Sequence, residues 1–181
     1  MKAPRTAAAA IMAAGTLLAT GSLALAAGPR AHATAQGGTI HVFVSNLGPT
    51  KSKVTITGAI GDHGIGISET KQGKVNPNGA YEQLKLGHGT LLIDGSAFDK
   101  AINHAHPQIN TSNCSFFLTG SGPTTIVSGT GAYAGAHGRI TLTAQFGGIA
   151  PKKANGKCNM SNNAPTLGGF FVITGKGTVS F

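Results

Sequence analysis

The sequence predicts an all-β domain, a single antiparallel eight-stranded β-barrel with a small β-sandwich as the alternative, behind an N-terminal signal peptide. Three observations carry this. Glycine is abundant, 28 of 181 residues, yet follows no collagen-like period. After residue 35 helix formers are scarce, while Thr, Ser, Val and Ile recur in short stretches that alternate with period two. Charged residues are only 10% of the chain, which excludes a solvated coil or a charge-driven disordered tail.

The first segment stands apart from the domain. Lys2 and Arg5 precede an Ala/Leu run over residues 7–27, and small residues follow. A positive start, an apolar stretch and a small-x-small exit describe a secretory signal peptide. Ala31-His32-Ala33 is the favoured cleavage site, with Ala24-Leu25-Ala26 as the alternative. The rival reading is a membrane anchor, but Gly15, Thr20, Gly21 and Ser22 dilute the run. Residues 1–33 are therefore expected to be removed and residues 34–181 to form one secreted, extracellular domain, with no membrane association after cleavage.

Loss of Lys2, Arg5 and Arg30 takes the 14 basic residues to 11, against 5 acidic ones, a charge near +6. Such a surface attracts anionic polymers. Only Lys152 and Lys153 are adjacent, however, and no aromatics interleave with basic residues, so no specific nucleic-acid partner is expected.

The elements follow in order. Residues 39–44 (Thr-Ile-His-Val-Phe-Val) and 53–57 (Lys-Val-Thr-Ile-Thr) alternate as strands. Gly61-Asp62-His63-Gly64 reads as a turn, and residues 65–68 resume an extended pattern. Asn76-Pro77-Asn78-Gly79 is a turn in which Pro presets φ and Asn-Gly tolerates positive φ. Strands at 81–86 and 90–94 come next. Residues 96–105 are the one helical candidate, capped by Ser96 with Asp99 in the first turn and ended by Pro107. Residues 114–118, 124–128, 139–146 and 169–181 supply further strands. Cys114 and Cys158 are the only cysteines, and in an oxidising compartment they are expected to pair. The bridge would staple the polar loop over residues 151–163.

Residues 123–140, Pro-Thr-Thr-Ile-Val-Ser-Gly-Thr-Gly-Ala-Tyr-Ala-Gly-Ala-His-Gly-Arg-Ile, carry a resemblance. The segment resembles a signature of the allene oxide cyclase/dirigent barrel superfamily, a strand running into Gly-Thr-Gly-x-aromatic-x-x-Ala-x-Gly. The match falls on Ile126, Val127, Gly129, Thr130, Gly131, Tyr133, Ala136 and Gly138. These are read as structural: Gly129-Thr130-Gly131 as a tight corner, Tyr133 as the cover of a barrel end, and Gly138 as the point where the chain re-enters the sheet. The resemblance implies an eight-stranded barrel, often a homotrimer, with an apolar cavity and no metal or cofactor. It also implies either ring closure and coupling of small molecules or no chemistry at all; barrel shape alone does not decide.

The acids are few: Asp62, Glu69, Glu82, Asp94 and Asp99. The catalytic candidates are Asp94, at the end of the most apolar strand, and Arg139, opening the strand after the signature, with Tyr81 and Glu82 beside the Asn-Gly turn. The bland alternatives are a turn carboxylate at Asp94, a surface cation at Arg139 and a solvated strand position at Glu82. His104-x-His106 with His88 or His137 suggests a metal site, but the downstream Glu of a cupin is missing, and no metal or cofactor is expected. Asp62-His63 near Ser68 lacks a nucleophile elbow, and Gly61-x-x-Gly64-x-Gly66 lacks the helix of a phosphate cradle. Two functions remain: binding of a small apolar ligand or extracellular component, or cofactor-free cyclisation, isomerisation or dirigent-type steering of a small apolar molecule. Chemistry requires an ionisable group facing the apolar interior, whereas a purely aliphatic and aromatic lumen leaves a binder.

Overall fold

The structure, a computed structural model, describes residues 36–161 and 164–181. The signal segment and both cleavage sites lie outside the described residues. The elements are β1 (Gly38–Asn46), β2 (Lys51–Gly58), β3 (Asp62–Glu69), β4 (Tyr81–Leu86), β5 (Gly89–Asp94), α1 (Ser96–Asn103), β6 (Gln108–Asn110), β7 (Ser115–Gly131), β8 (His137–Ile149) and β9 (Gly168–Ser180). Every strand pairing is antiparallel, in the order β5-β4-β3-β2-β1-β9-β8-β7-β6. A β5–β7 ladder then closes eight of the strands into a barrel, so no sandwich forms. Closure removes the sheet edges that a flat all-β chain would expose, except along β6 and the stretch of β7 between its β6 and β5 ladders.

Alternation sets the interior. Ile40, Val42 and Val44 of β1, Val54 and Ile56 of β2, and Leu91 and Ile93 of β5 are buried, while their neighbours in sequence point outward. Ile126, Ile140 and Val179 complete the packed layer from the long strands. Tyr133, in the turn after β7, is only 2% exposed and plugs one end of this layer.

Four local readings are corrected. Asp62 and His63 belong to strand β3, opposite Ile56 and Thr55, and the turn lies one step earlier at Gly61, where φ is +60°. The two strands expected at 114–118 and 124–128 are one 17-residue strand, β7. Gly120-Ser121-Gly122-Pro123 reads as a break because Gly and Pro punctuate strands. Here, though, β6 pairs residues 115–117 and β5 pairs from Thr125 onward, so Pro123 sits where β8 is the one strand neighbour. A missing N–H is tolerated at such an edge. A Cβ on Gly120 or Gly122 would run into Ile102 or Phe98, so the two glycines let α1 lie directly on β7.

The third correction concerns α1. Gly95 is the cap residue, and the Asp94 carboxylate accepts from the Ser96 N–H (2.9 Å) and hydroxyl (2.6 Å). Ser96 is therefore the recipient of the cap, and the helix ends at Asn103, short of residue 105. The fourth concerns the signature. Gly129 and Thr130 are still in the β5–β7 ladder; the corner proper runs from Gly131 (φ +63°) to Gly135 (φ +83°). Gly129 is needed for space, since a Cβ there would lie 2.1 Å from the Tyr133 carbonyl oxygen.

Cys114 and Cys158 form a disulfide, with Cα atoms 5.3 Å apart across 44 residues of sequence. It ties the start of β7 to the loop after β8, where Lys152 and Cys158 make an isolated bridge. Among the described residues no helix is long and apolar enough to cross a membrane.

Candidate functional site

The barrel ends differ. At the Tyr133 end the interior is filled; beyond Val44, Ile93 and Leu142 the other end holds a cavity of about 450 Å³. Its mouth is framed by loop residues around Gly48 and Asn78 and by α1, and its apolar wall includes Phe98, Phe146, Phe171 and Ile173. Phe146 and Phe171 pack as a tilted pair with ring centres 4.6 Å apart. Volume and lining suit a small, largely apolar molecule.

Glu82 is the polar centre of this cavity. On β4 it shares parity with the buried Leu84, and its cross-strand partners are Ser68 and Ile93. Its side chain turns back over β3, where Oε1 accepts a 2.6 Å hydrogen bond from the Ser52 hydroxyl. The space for this is a missing side chain: a Cβ on Gly66 would lie 1.9 Å from Glu82 Oε1 and 2.4 Å from Ser52 Oγ. Burial pushes the Glu82 carboxyl above its ordinary value; the Ser52 bond opposes this, and the charge of Asp99 adds to it. Asp99 of α1 also lines the cavity and is raised, by burial first and then by Asp94.

The filled end carries the opposite case. Asp62 is 6% exposed. Its carboxylate accepts from the Tyr133 hydroxyl (2.5 Å), the His63 N–H (2.7 Å) and the His88 N–H (3.0 Å), with His88 Nδ1 at 3.1 Å. Burial alone would raise this group, but the hydrogen bonds from Tyr133, His63 and His88 outweigh it and hold the carboxyl well below the usual range. Tyr133 is pushed well above the ordinary phenol value by burial and by the Asp62 carboxylate. Both Asp62 oxygens and the Tyr133 hydroxyl are engaged, and the cluster reads as a structural clasp between β3, the β4–β5 turn and the corner after β7.

The candidates from sequence do not converge on one place. Asp94 caps α1 and accepts from the Tyr81 hydroxyl at 3.0 Å. Its carboxyl is lowered, chiefly by the Ser96 hydroxyl and N–H. Tyr81 lies on the cavity rim with its hydroxyl committed to Asp94. Arg139 is exposed, between inward-facing Gly138 and Ile140 on β8. Glu82 alone of the four faces the cavity as a partly buried acid, and not as a solvated strand position. Ser52, Gly66 and Asp99 were not singled out as site residues. Parity with Leu84 would have placed Glu82 inside, whereas nothing local marks Ser52, 30 residues away, as its partner.

Among the described residues no group of three or more His, Cys, Asp or Glu is disposed to hold a metal. His104 follows the last turn of α1, and β6 begins only at Gln108, so His104 and His106 do not share a strand. Asp62 points inward, His63 outward and Ser68 into the cavity, so these three make no triad. No protein-family model matches the chain, and no curated protein or solved structure matches it either.

Proposed function

We propose that the barrel takes one small, largely apolar molecule through its open end, and that Glu82 supplies the point of polar recognition. The observation that carries this is the Glu82 carboxyl, raised by burial and anchored by Ser52, in the wall of a 450 Å³ cavity beside Ile93, Phe98, Phe146, Phe171 and Ile173, with Asp99 of α1 as a second raised carboxyl in the lining. In its protonated form the Glu82 carboxyl donates one hydrogen bond, which suits a ligand with a carbonyl, ether or hydroxyl oxygen. The leader-like N-terminus and the disulfide support export of the domain. Intact mass of the protein from culture fluid should begin near Thr34 and lack two hydrogens.

Prodan, a neutral naphthyl ketone whose emission reports polarity and hydrogen bonding, is the binding probe. It should bind with blue-shifted emission, and Glu82→Leu should weaken it about tenfold, the effect of losing one buried hydrogen bond. Equal affinity for wild type and Glu82→Leu overturns the assignment.

A second reading, cofactor-free isomerisation, is favoured by the same raised carboxyl. Glu82 would give its proton to the carbonyl oxygen while a water at the open mouth takes a proton from the α-carbon; return of a solvent proton to that carbon and of the enol proton to Glu82 closes the cycle, with no change of oxidation state. The test is exchange of the ketone's α-protons in deuterated water. Exchange lost in Glu82→Gln supports turnover; bound but unexchanged prodan leaves binding alone.

A further inference from the structure

We propose that Ser52 and Gly66 are positioning residues for Glu82: the glycine leaves the space into which the carboxyl folds, and the serine hydroxyl holds Oε1, so that Oε2 is the oxygen left to meet the ligand. The inference rests on the cavity reading for its functional meaning and on geometry for its mechanism.

A neutral carboxylic acid has one oxygen that donates and one that only accepts. Without a fixed neighbour the two exchange roles by rotation. The Ser52 hydroxyl donates to Oε1 at 2.6 Å, so that oxygen is the acceptor, and whenever the carboxyl is protonated its proton sits on Oε2. The cavity then presents a donor, and it selects an apolar molecule bearing an acceptor over a pure hydrocarbon of the same size.

Gly66 is what allows this arrangement. The three atoms nearest to a Cβ at this position are all side-chain atoms: Glu82 Oε1, Ser52 Oγ and Glu82 Cδ. Its φ is not among the positive values, so alanine meets no backbone strain here. Gly64, two residues earlier, is different, since its Cβ would strike the Lys85 backbone carbonyl. Gly66→Ala thus spares the sheet and evicts the carboxyl from Ser52. The other titratable groups around the cavity are Lys51 at the mouth, Tyr81 on the rim and Asp99 on α1; β1, β3, β5 and the three long strands contribute none.

Glu69 and Glu82 are the only glutamates, so carboxyl-labelled glutamate gives two NMR titration curves, and Glu82→Gln assigns them. Ser52→Ala and Gly66→Ala should each move the Glu82 midpoint upward, because both remove a hydrogen bond that favours the ionised form. Ser52→Thr should restore it. Prodan affinity should fall about three- to tenfold in both variants, the range for one lost hydrogen bond, while naphthalene, which has no acceptor, binds unchanged. A Gly66→Ala protein that folds with an unmoved midpoint overturns the role of Gly66. An unmoved midpoint in Ser52→Ala overturns the whole proposal even where Gly66→Ala fails to fold. Midpoints that move as expected in a protein that binds no prodan uphold the positioning and refute the cavity reading alone.

Discussion

Asp62 and Glu82 are the inward-facing carboxyl groups of adjacent strands, at opposite ends of one barrel, and their acidities are driven in opposite directions. Both are taken out of water. Asp62 collects hydrogen bonds from a phenol and two backbone amides, with an imidazole alongside; Glu82 collects one, from Ser52. The number of donors, more than the depth of burial, decides the sign. The filled end has spent its polar capacity on cross-linking the chain, whereas the open end keeps a carboxyl with an unclaimed oxygen beside an apolar space. Structure is concentrated at one end and binding capacity at the other.

The largest expected effect tests the filled end. Tyr133→Ala removes a buried ring and a donor to Asp62, and it should cost about 3–5 kcal/mol. For a domain of this size that lowers Tm by on the order of 10 °C or more, read by circular dichroism. Glu82→Gln at the open end keeps both volume and a donor and should cost less than about 1 kcal/mol. Comparable losses in the two variants would break the contrast. Tyr133→Phe should be intermediate and should leave prodan affinity unchanged, since the hydroxyl bonds Asp62 and not the cavity.

The open end has no plug like Tyr133, and its cross-link is covalent. The disulfide anchors the start of β7, beyond the cavity, to the loop between β8 and β9. Replacing both cysteines by serine should cost up to about 4 kcal/mol in the chain-entropy model for a loop of this length. Prodan affinity should fall with it once the flanking strands loosen. Full retention of stability would mean that the long strands hold themselves.

The pH dependence separates the two carboxyls more sharply. Asp62 has a depressed folded pKa: its contribution is present above its ordinary value of 3.8 and is lost as pH falls through the lower folded value. Glu82 has a raised one: its contribution is full below its ordinary value of 4.5 and is lost as pH rises through the folded value. Urea midpoints of wild type and Glu82→Gln, taken from about pH 4 to about pH 8, should therefore diverge as pH rises, with the wild type losing ground. Parallel curves would show that Glu82 titrates as it does in the unfolded chain.

The barrel was legible because alternation survives in nearly every strand, and because Gly131 and Asn76-Pro77-Asn78-Gly79 mark their turns in residue type, although neither Asn78 nor Gly79 takes the positive φ that Asn-Gly tolerates. The binding end was less legible for a physical reason. Strand parity is a local property, so Leu84 already implied an inward Glu82, and the buried Ile56 opposite Asp62 shows that the same logic held at the filled end. Which donors meet each carboxyl is a property of closure: Tyr133 lies 71 residues from Asp62, and Ser52 lies 30 from Glu82. No window of sequence contains either pair. Gly120 to Pro123 misled in the other direction, since a local break signal was overridden by a helix laid on the strand.

The smallest expected effect concerns Arg139, a candidate because it opens the strand after the signature. Its neighbours Gly138 and Ile140 face inward, so period two sends the guanidinium outward, and its cross-strand partners are Thr125 and Thr178. An inward Arg139 would require β8 to slip by one residue against both β7 and β9, which would expel Ile140 and Ala144 from the core. Gly138 opposes that slip, because a Cβ at its place would lie 2.1 Å from the Thr178 carbonyl oxygen, and the shifted register would put a side chain there. Arg139→Ala should therefore change stability by no more than about 0.5 kcal/mol and leave prodan affinity and the Glu82 midpoint where they are. A loss of binding in Arg139→Ala without a loss of Tm would place the ligand on the outer wall of β8 and remove the functional distinction between the two ends of the barrel.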